Sequence, residues 1–162
     1  MKPNFRVGFG FDVHQLKEGI PFWLGGIQIP HEKGILGHSD ADVVLHALCD
    51  ALLGACGDRD IGYHFPNTNN EFKGIDSKEL LKRVMLILNE KKYAVGNIDL
   101  TVCTERPKIN PYLNQMKEIL APILNIVSSD IAIKATTSEK LGFIGREEGI
   151  VAYATVLIYK ID

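Results

Sequence analysis

The chain has 162 residues, 46% of them hydrophobic, and a formal net charge of -2 at pH 7. This length and apolar content predict one domain with its own core, spanning residues 1–162. The lack of a strong positive charge argues against nucleic acid as the main partner. No apolar run reaches the roughly 18 residues that a membrane-spanning helix needs, and the N-terminus lacks the apolar core of a signal peptide. We therefore expect a cytoplasmic protein with no membrane partner.

Strand and helix signals alternate along the chain, and no internal repeat or linker divides it. In order, they predict a strand at 6–13, a hairpin at 22–29, a helix ending near 55, a loop at 58–74, a helix at 77–92, a strand at 97–105, a helix at 111–124, and strands at 131–137 and 150–161. Gly25-Gly26 is expected to form the hairpin turn. Ser39 or Asp40 is expected to cap the first helix, and Asp76 the second.

The last predicted strand, IVAYATVLIYKI, is apolar on both faces, so both faces need cover. Helices can cover one face, and a neighbouring subunit is a candidate for the other. The expected class is α/β or α+β, with a mixed four-stranded sheet and helices on one face.

A ladder of ionisable residues interrupts the first helix, which otherwise consists of Val, Leu, Ala and Cys. Asp42, His46 and Asp50 recur at four-residue steps and fall within an arc of about 80°. No Lys, Arg or Glu lies between residues 38 and 57, so the stripe does not resemble a solvated face. It indicates either a functional pocket or a structural Asp–His pair.

Asp12 and His14 lie two residues apart on the first predicted strand, so their side chains share one face. With His46 they supply one carboxylate and two imidazoles, the ligand set of a catalytic zinc site with an open position. Asp42 or Asp50 could then accept a hydrogen bond from an imidazole and orient it. The same three ligands also match the facial triad of non-haem iron enzymes.

These residues stand in motifs that resemble the 2-C-methyl-D-erythritol 2,4-cyclodiphosphate synthase family. The motifs are FDVH, HSDADVVLHALCDALLGA, DIGYHFP, FKGIDS, PKI and KATTSEKLGFIGREEG, and the resemblance runs over nearly the whole chain. It implies a phosphorus–oxygen lyase of non-mevalonate isoprenoid biosynthesis. The 2-phosphate of 4-diphosphocytidyl-2-C-methyl-D-erythritol 2-phosphate attacks the β-phosphorus, CMP leaves, and the cyclic diphosphate forms. The resemblance also implies a homotrimer, with sheets packed around the trimer axis and active sites between subunits.

The resemblance further assigns roles to individual residues. Asp12, His14 and His46 match the zinc ligands, and Glu139 matches a carboxylate that holds a second ion, magnesium or manganese. His38 and Thr137 match residues that position the phosphates and stabilise the transition state. The matching substrate contacts are Ser39, Asp60, Ile61, Gly62, Phe65, Thr104, Glu105, Arg106, Pro107, Lys108, Ala135, Thr136, Ser138, Phe143 and Arg146. Among them, the segment from Thr104 to Lys108, with Ala135 and Thr136, matches the pocket for the cytidine nucleotide.

Two other functions fit part of this pattern. One is a trimeric, metal-stabilised module that binds cytidine phosphates without turning them over. The other is a non-haem iron enzyme, although the barrel that commonly hosts that site needs many evenly spaced strands and this chain has long helices.

Overall fold

A computed structural model describes residues 4–161 of the protein. Its strands are β1 (Phe5–Glu18), β2 (Phe22–Leu24), β3 (Ile27–Ile29), β4 (Lys33–Leu36), β5 (Tyr93–Cys103), β6 (Ile131–Thr136) and β7 (Gly149–Lys160). Its helices are α1 (Val43–Ala55), α2 (Ile61–His64), α3 (Ser77–Glu90), α4 (Leu113–Leu124) and α5 (Gly142–Gly145). Short 3₁₀ turns lie at Asn70–Phe72, Asn110–Tyr112 and Ser128–Asp130.

The main sheet has the strand order β4-β1-β7-β5-β6 and is mixed, because β5 and β6 run parallel while the other neighbours are antiparallel. The predicted α+β class is therefore confirmed, but the sheet has five strands where four were expected. The additional strand, β4, pairs with the far end of β1, from Gln15 opposite Leu36 to Glu18 opposite Lys33. Its sequence, KGIL, contains a glycine and lacks the apolar–polar alternation that predicts a strand.

Helix α1 lies directly on β1, and two glycines make this approach possible. A Cβ atom at Gly8 would stand 1.9 Å from the carbonyl oxygen of Ala51, and one at Gly10 would stand 1.9 Å from that of Ala47. Neither position has room for any side chain. The helix that carries His46 is thus held against the strand that carries Asp12 and His14.

The other long helices complete a layer on this side of the sheet. Helix α3 contacts α1, and α4 contacts both α3 and β6. The buried apolar residues of α3 follow a helical period and are Leu80, Leu81, Val84, Met85 and Leu88. No helix within residues 4–161 is long and apolar enough to cross a membrane.

The opposite side of β1 presents large apolar side chains to the surface. They alternate along the strand and are Phe5, Val7, Phe9, Phe11 and Val13, with exposures of 42–64%. Tyr153 and Tyr159 of the neighbouring strand β7 are also exposed. We call these seven residues the outer face. Contiguous apolar surface of this kind is typical of an interaction site.

Local predictions were mostly confirmed. The hairpin β2–β3 turns on Gly25 and Gly26, and Asp76 caps α3. The cap of α1 was predicted wrongly: it is Asp42, whose carboxylate accepts hydrogen bonds from the N–H groups of Val44 and Leu45. The predicted loop 58–74 contains α2 and a 3₁₀ turn.

Candidate active site

One carboxylate and two imidazoles converge where β1 meets α1. The ligand atoms Asp12 Oδ2, His14 Nε2 and His46 Nδ1 form a triangle with sides of 3.0, 3.0 and 3.1 Å. Asp12 and His14 reach it from one face of β1, and His46 from the first turn of α1. The structure therefore brings together the three metal ligands that the sequence predicts.

The triangle fits a tetrahedral metal ion. With bonds of about 2.0–2.1 Å to zinc, neighbouring ligand atoms stand about 3.3–3.4 Å apart, only slightly more than the distances here. All three residues line a cavity of about 180 Å³, so three protein ligands would leave one coordination position facing open space. That is the arrangement of a catalytic zinc site rather than a structural one.

Electrostatics prepares Asp12 to act as a ligand. Burial would raise the pKa of its carboxyl, but the contacts with the His14 and His46 rings outweigh burial and lower the pKa to about 2. Burial acts the opposite way on His14, where the hydrogen bond and charge of Asp12 leave the pKa raised. Asp12 is therefore ionised at neutral pH, the state in which carboxylates bind metals.

The ring nitrogens that face away from the triangle have partners of their own. His14 Nδ1 lies 3.0 Å from the carbonyl oxygen of Leu36, an acceptor that places the proton on Nδ1 and leaves Nε2 free for a metal. His46 Nε2 lies 3.0 Å from the hydroxyl oxygens of both Ser39 and Ser77. Ser77 was not predicted from the sequence, because its position directly after a helix cap gave no sign of a contact with His46.

The two other carboxylates of the ladder do not contact an imidazole among the described residues, contrary to the prediction that one of them orients a histidine. Asp42 is fully buried and also accepts hydrogen bonds from the N–H groups of Gly25 and Gly26, at 2.9 and 2.7 Å. Asp50 accepts one from Ile61 N at 2.8 Å. The ladder thus combines one candidate metal ligand with two carboxylates that fix backbone segments.

Most predicted residues of the first half of the chain surround the 180 Å³ cavity. Besides the triad, its lining includes His38, Ser39, Ile61, Gly62 and Phe65. His38 Nε2 is buried and has no hydrogen-bond partner within residues 4–161. Asp60 is absent from the lining and instead caps α2, with its Oδ1 accepting from Tyr63 N at 2.9 Å.

The predicted nucleotide residues form a separate cleft of about 90 Å³. Its lining includes Thr104, Glu105, Pro107, Lys108, Ala135, Thr136 and Thr137. Glu105 Oε1 accepts hydrogen bonds from Ser138 N, Ser138 Oγ and Lys140 N, which ties the two sides of the cleft together. Glu139 accepts one from Thr137 Oγ1 at 3.0 Å. Arg106 does not line this cleft. No lining residue is shared with the triad cavity.

Phe143 and Arg146 lie elsewhere again. Phe143 lines a wide cavity of about 580 Å³ beside His14, together with Glu148 and Gly149. Arg146 is exposed and forms two 3.0 Å hydrogen bonds with Glu148. One protomer therefore does not bring these two residues into the triad cavity or the nucleotide cleft.

Comparison with known proteins places the chain among close relatives. The model of the YgbB family matches residues 5–159. A protein of Bacteroides thetaiotaomicron named 2-C-methyl-D-erythritol 2,4-cyclodiphosphate synthase is 64% identical over 157 residues, which are 97% of this chain and 99% of the relative.

Solved structures of similar proteins superpose closely on this chain. The bifunctional IspDF from Campylobacter jejuni superposes with a TM-score of 0.93 at 41% identity, covering 98% of this chain but only 43% of that longer one. A CDP complex of IspF from Plasmodium falciparum gives a TM-score of 0.86 at 33% identity, with all of both chains covered.

Proposed function

The chain belongs to the YgbB family, and from this we propose that it converts 4-diphosphocytidyl-2-C-methyl-D-erythritol 2-phosphate into 2-C-methyl-D-erythritol 2,4-cyclodiphosphate and CMP. The observation that carries the proposal is the triangle of Asp12, His14 and His46 at the wall of a cavity. Its geometry supports a bound metal with one open position. The relatives then indicate the substrate, because one of them is named a cyclodiphosphate synthase and another was solved as a CDP complex.

The reaction joins two phosphates of the same molecule. An oxygen of the 2-phosphate forms a bond to the β-phosphorus, and the bond from the β-phosphorus to the oxygen of CMP breaks. Repulsion between anions and the freedom of the erythritol chain oppose this step, so the site must supply positive charge and fix the geometry. Zinc or another divalent transition metal on the triad, and magnesium or manganese near Glu139, would supply Lewis acidity toward the phosphate oxygens.

The residues of the chain perform the positioning. His38 and Ser39 line the cavity beside the triad and would hold the 2-phosphate. The loop that begins at Asp60 and includes Ile61, Gly62 and Phe65 encloses the same cavity and would hold the erythritol. Thr137 lines the nucleotide cleft and would contact the diphosphate.

The nucleotide cleft would hold CMP. The residues proposed to contact it are Thr104, Glu105, Arg106, Pro107, Lys108, Ala135, Thr136 and Ser138. Phe143 and Arg146 are proposed as further substrate contacts. A cytidine diphosphate-linked substrate must reach both the cleft and the triad cavity. That these two share no lining residue supports a site formed between subunits.

We therefore propose a homotrimer in which the outer face of each subunit packs around the trimer axis and active sites form between neighbours. The large exposed side chains of β1 support this assembly, since a free surface of that composition is unfavourable in water. We also propose that residues 1–162 form one synthase domain that works in the cytoplasm.

Phosphorus-31 NMR tests the activity directly. The purified protein is incubated with the diphosphocytidyl substrate, zinc and magnesium, and CMP and a cyclic diphosphate are expected as products. Bound zinc without release of CMP would contradict the enzyme and favour the binding module. A protein that purifies with iron rather than zinc on the triad, and releases no CMP from this substrate, would favour the non-haem iron enzyme.

A further inference from the structure

His46 Nε2, the ring nitrogen that points away from the triangle, is enclosed by two serine hydroxyls. Ser77 Oγ and Ser39 Oγ each lie 3.0 Å from it. Ser77 is the first residue of α3 and is fully buried, and His46 is only 8% exposed. Water therefore has little access to this nitrogen, and the hydroxyls determine whether it carries a proton.

The proton of the Ser77 hydroxyl is already committed. It is donated to Asp40 Oδ1 in a very short hydrogen bond, while the backbone N–H of Ser77 donates to Asp40 Oδ2 at 2.9 Å. A carboxylate oxygen accepts hydrogen bonds and has no proton to give, so the direction of the Ser77–Asp40 bond is fixed. Toward His46, Ser77 Oγ can then only accept.

This direction has a consequence on the far side of the imidazole. A ring that donates from Nε2 carries its proton there, and in the neutral ring Nδ1 then has a free lone pair. Nδ1 is the atom that points at Asp12 and His14. The acceptor at Leu36 fixes the opposite tautomer of His14, whose Nε2 points at the same spot.

We infer that Asp40 and Ser77 are positioning residues that hold His46 in the tautomer able to bind a metal, a role that rests on the metal site of the proposed function. His46 Nε2 donates a hydrogen bond to Ser77 Oγ, and the Ser77 hydroxyl donates one to Asp40. The carboxylate therefore fixes the direction of both hydrogen bonds. Removal of a residue that hydrogen-bonds a metal-bound histidine typically lowers metal affinity 10–100-fold.

Ser39 does not set the tautomer in the same way. Its oxygen accepts a hydrogen bond from the N–H of Ala41 at 3.1 Å, and no residue among 4–161 fixes the direction of its own proton. It can therefore donate to or accept from His46 Nε2. The assignment falls on Ser77 because only its hydroxyl is anchored to a carboxylate.

Two variants test the assignment through zinc affinity, measured by competition with a chromogenic chelator. Ser77→Ala removes the acceptor. Asp40→Asn keeps the shape but places an amide N–H₂ against either Ser77 N–H or Ser77 Oγ; in the second arrangement the serine proton is free to turn toward His46. Each variant is expected to bind zinc 10–100-fold more weakly than the unaltered protein.

Asp76→Ala is the matched control. It removes the cap of the same helix, one residue from Ser77, but its carboxylate bonds Lys78 and does not touch His46. It should lower thermal stability while leaving zinc affinity within twofold of the unaltered protein. The two test variants should lose zinc affinity beyond anything their change in thermal stability explains.

Three results would overturn the inference, and they are distinct. If Ser77→Ala and Asp40→Asn bind zinc as tightly as the unaltered protein, the metal site stands and the positioning role fails. If Asp76→Ala weakens zinc to the same extent, the effect belongs to the start of α3. If the unaltered protein binds no zinc, the metal site of the proposed function fails, and the positioning role with it.

Discussion

His14 Nε2 and His46 Nδ1 lie 3.1 Å apart, although 32 residues separate them in the chain. Each ring turns its other nitrogen toward an oxygen: the Leu36 carbonyl for His14, and serine hydroxyls for His46. Two imidazole lone pairs aimed at one point repel each other unless a cation or a proton lies between them. A cation bound by both rings and Asp12 would remove this repulsion, so the approach of the two rings supports the proposed metal site.

Replacement of His46 by alanine tests this directly. His46→Ala leaves two ligands and is expected to lower zinc affinity more than about 100-fold, since the loss of a direct ligand exceeds the effect of its hydrogen-bond partners. The zinc content of the variant after dialysis, measured by atomic emission, tests this expectation. His31→Ala, which alters a histidine outside the cavity, should retain zinc. Full zinc content in His46→Ala would refute the ligand assignment.

Asp50 is expected to affect substrate binding and not metal binding, because it holds Ile61 at the cavity wall through one 2.8 Å hydrogen bond. Loss of a charged acceptor costs about 1.5–3 kcal/mol, so Asp50→Ala should raise KM by about tenfold or more. Asp50→Asn retains a carbonyl acceptor and should have a smaller effect. Steady-state kinetics and zinc content separate the two roles. Loss of zinc in Asp50→Ala would show that the carboxylate supports the metal site after all.

The two glycines of β1 predict that even one methyl group is too large there. In Gly10→Ala the new Cβ would overlap the carbonyl oxygen of Ala47, so α1 must move away from the strand that carries Asp12 and His14. We expect a loss of at least about 3 kcal/mol in the free energy of unfolding, measured with urea, together with weaker zinc binding.

Gly54→Ala serves as the matched comparison, since it makes the same change within α1 where a Cβ meets nothing within 4 Å. Alanine is favoured over glycine in a helix by about 0.8–1.0 kcal/mol, so this variant should be more stable than the unaltered protein. Equal stability of the Gly10 and Gly54 variants would contradict the close packing of α1 on β1.

The outer face predicts the assembly state. Phe9 is 64% exposed, and Phe9→Glu would place a charge within the proposed subunit interface. Analytical ultracentrifugation should show a trimer for the unaltered protein and a smaller species for Phe9→Glu, which should also lose turnover because its sites are incomplete. Leu86→Glu changes a similarly exposed residue on α3, at 61%, and should remain trimeric. A fully active, monomeric Phe9→Glu protein would contradict sites between subunits.

Asp58 should make stability depend on pH. The Arg59 N–H and the Lys91 ammonium, with a further hydrogen bond to His64, hold the pKa of its carboxyl at about 2. Because the unfolded state takes up the proton at higher pH than the folded state, the stabilisation is complete above about pH 5 and disappears as the pH falls toward 2. We expect about 1 kcal/mol at pH 7 after allowance for solvent screening.

Urea unfolding of Asp58→Asn and the unaltered protein at several pH values measures this. The difference in stability should be constant from pH 7 to pH 5 and shrink by pH 3. Glu79→Gln, which alters an exposed ion pair with Lys82, should change stability little at any pH. A difference for Asp58→Asn that is the same at pH 7 and pH 3 would rule out the carboxylate as its source.

Sequence periodicity predicted the part of the site that depends on local geometry. The two-residue step from Asp12 to His14 and the position of His46 on a helix determine which faces these side chains occupy, and the structure brings them together. The roles of Asp42 and Asp40 depend on contacts with distant segments, the Gly25–Gly26 turn and Ser77. No local pattern encodes those contacts. The helical period alone therefore suggested, wrongly, that Asp42 accepts a hydrogen bond from an imidazole.

The alternation of side chains along β1 means that the strand cannot gain or lose a single residue without loss of function. Even-numbered positions carry the glycines under α1 and the candidate metal ligands Asp12 and His14, while odd-numbered positions carry the five outer-face residues of β1. Insertion or deletion of a single residue between Gly8 and Asp12 would exchange the two faces beyond that point. Packing of α1, the metal site and subunit assembly would then fail together, whereas the loop from Asn67 to Asn70 could change length with far less effect. Natural variation in chain length within this family should therefore be found in its loops and not within β1.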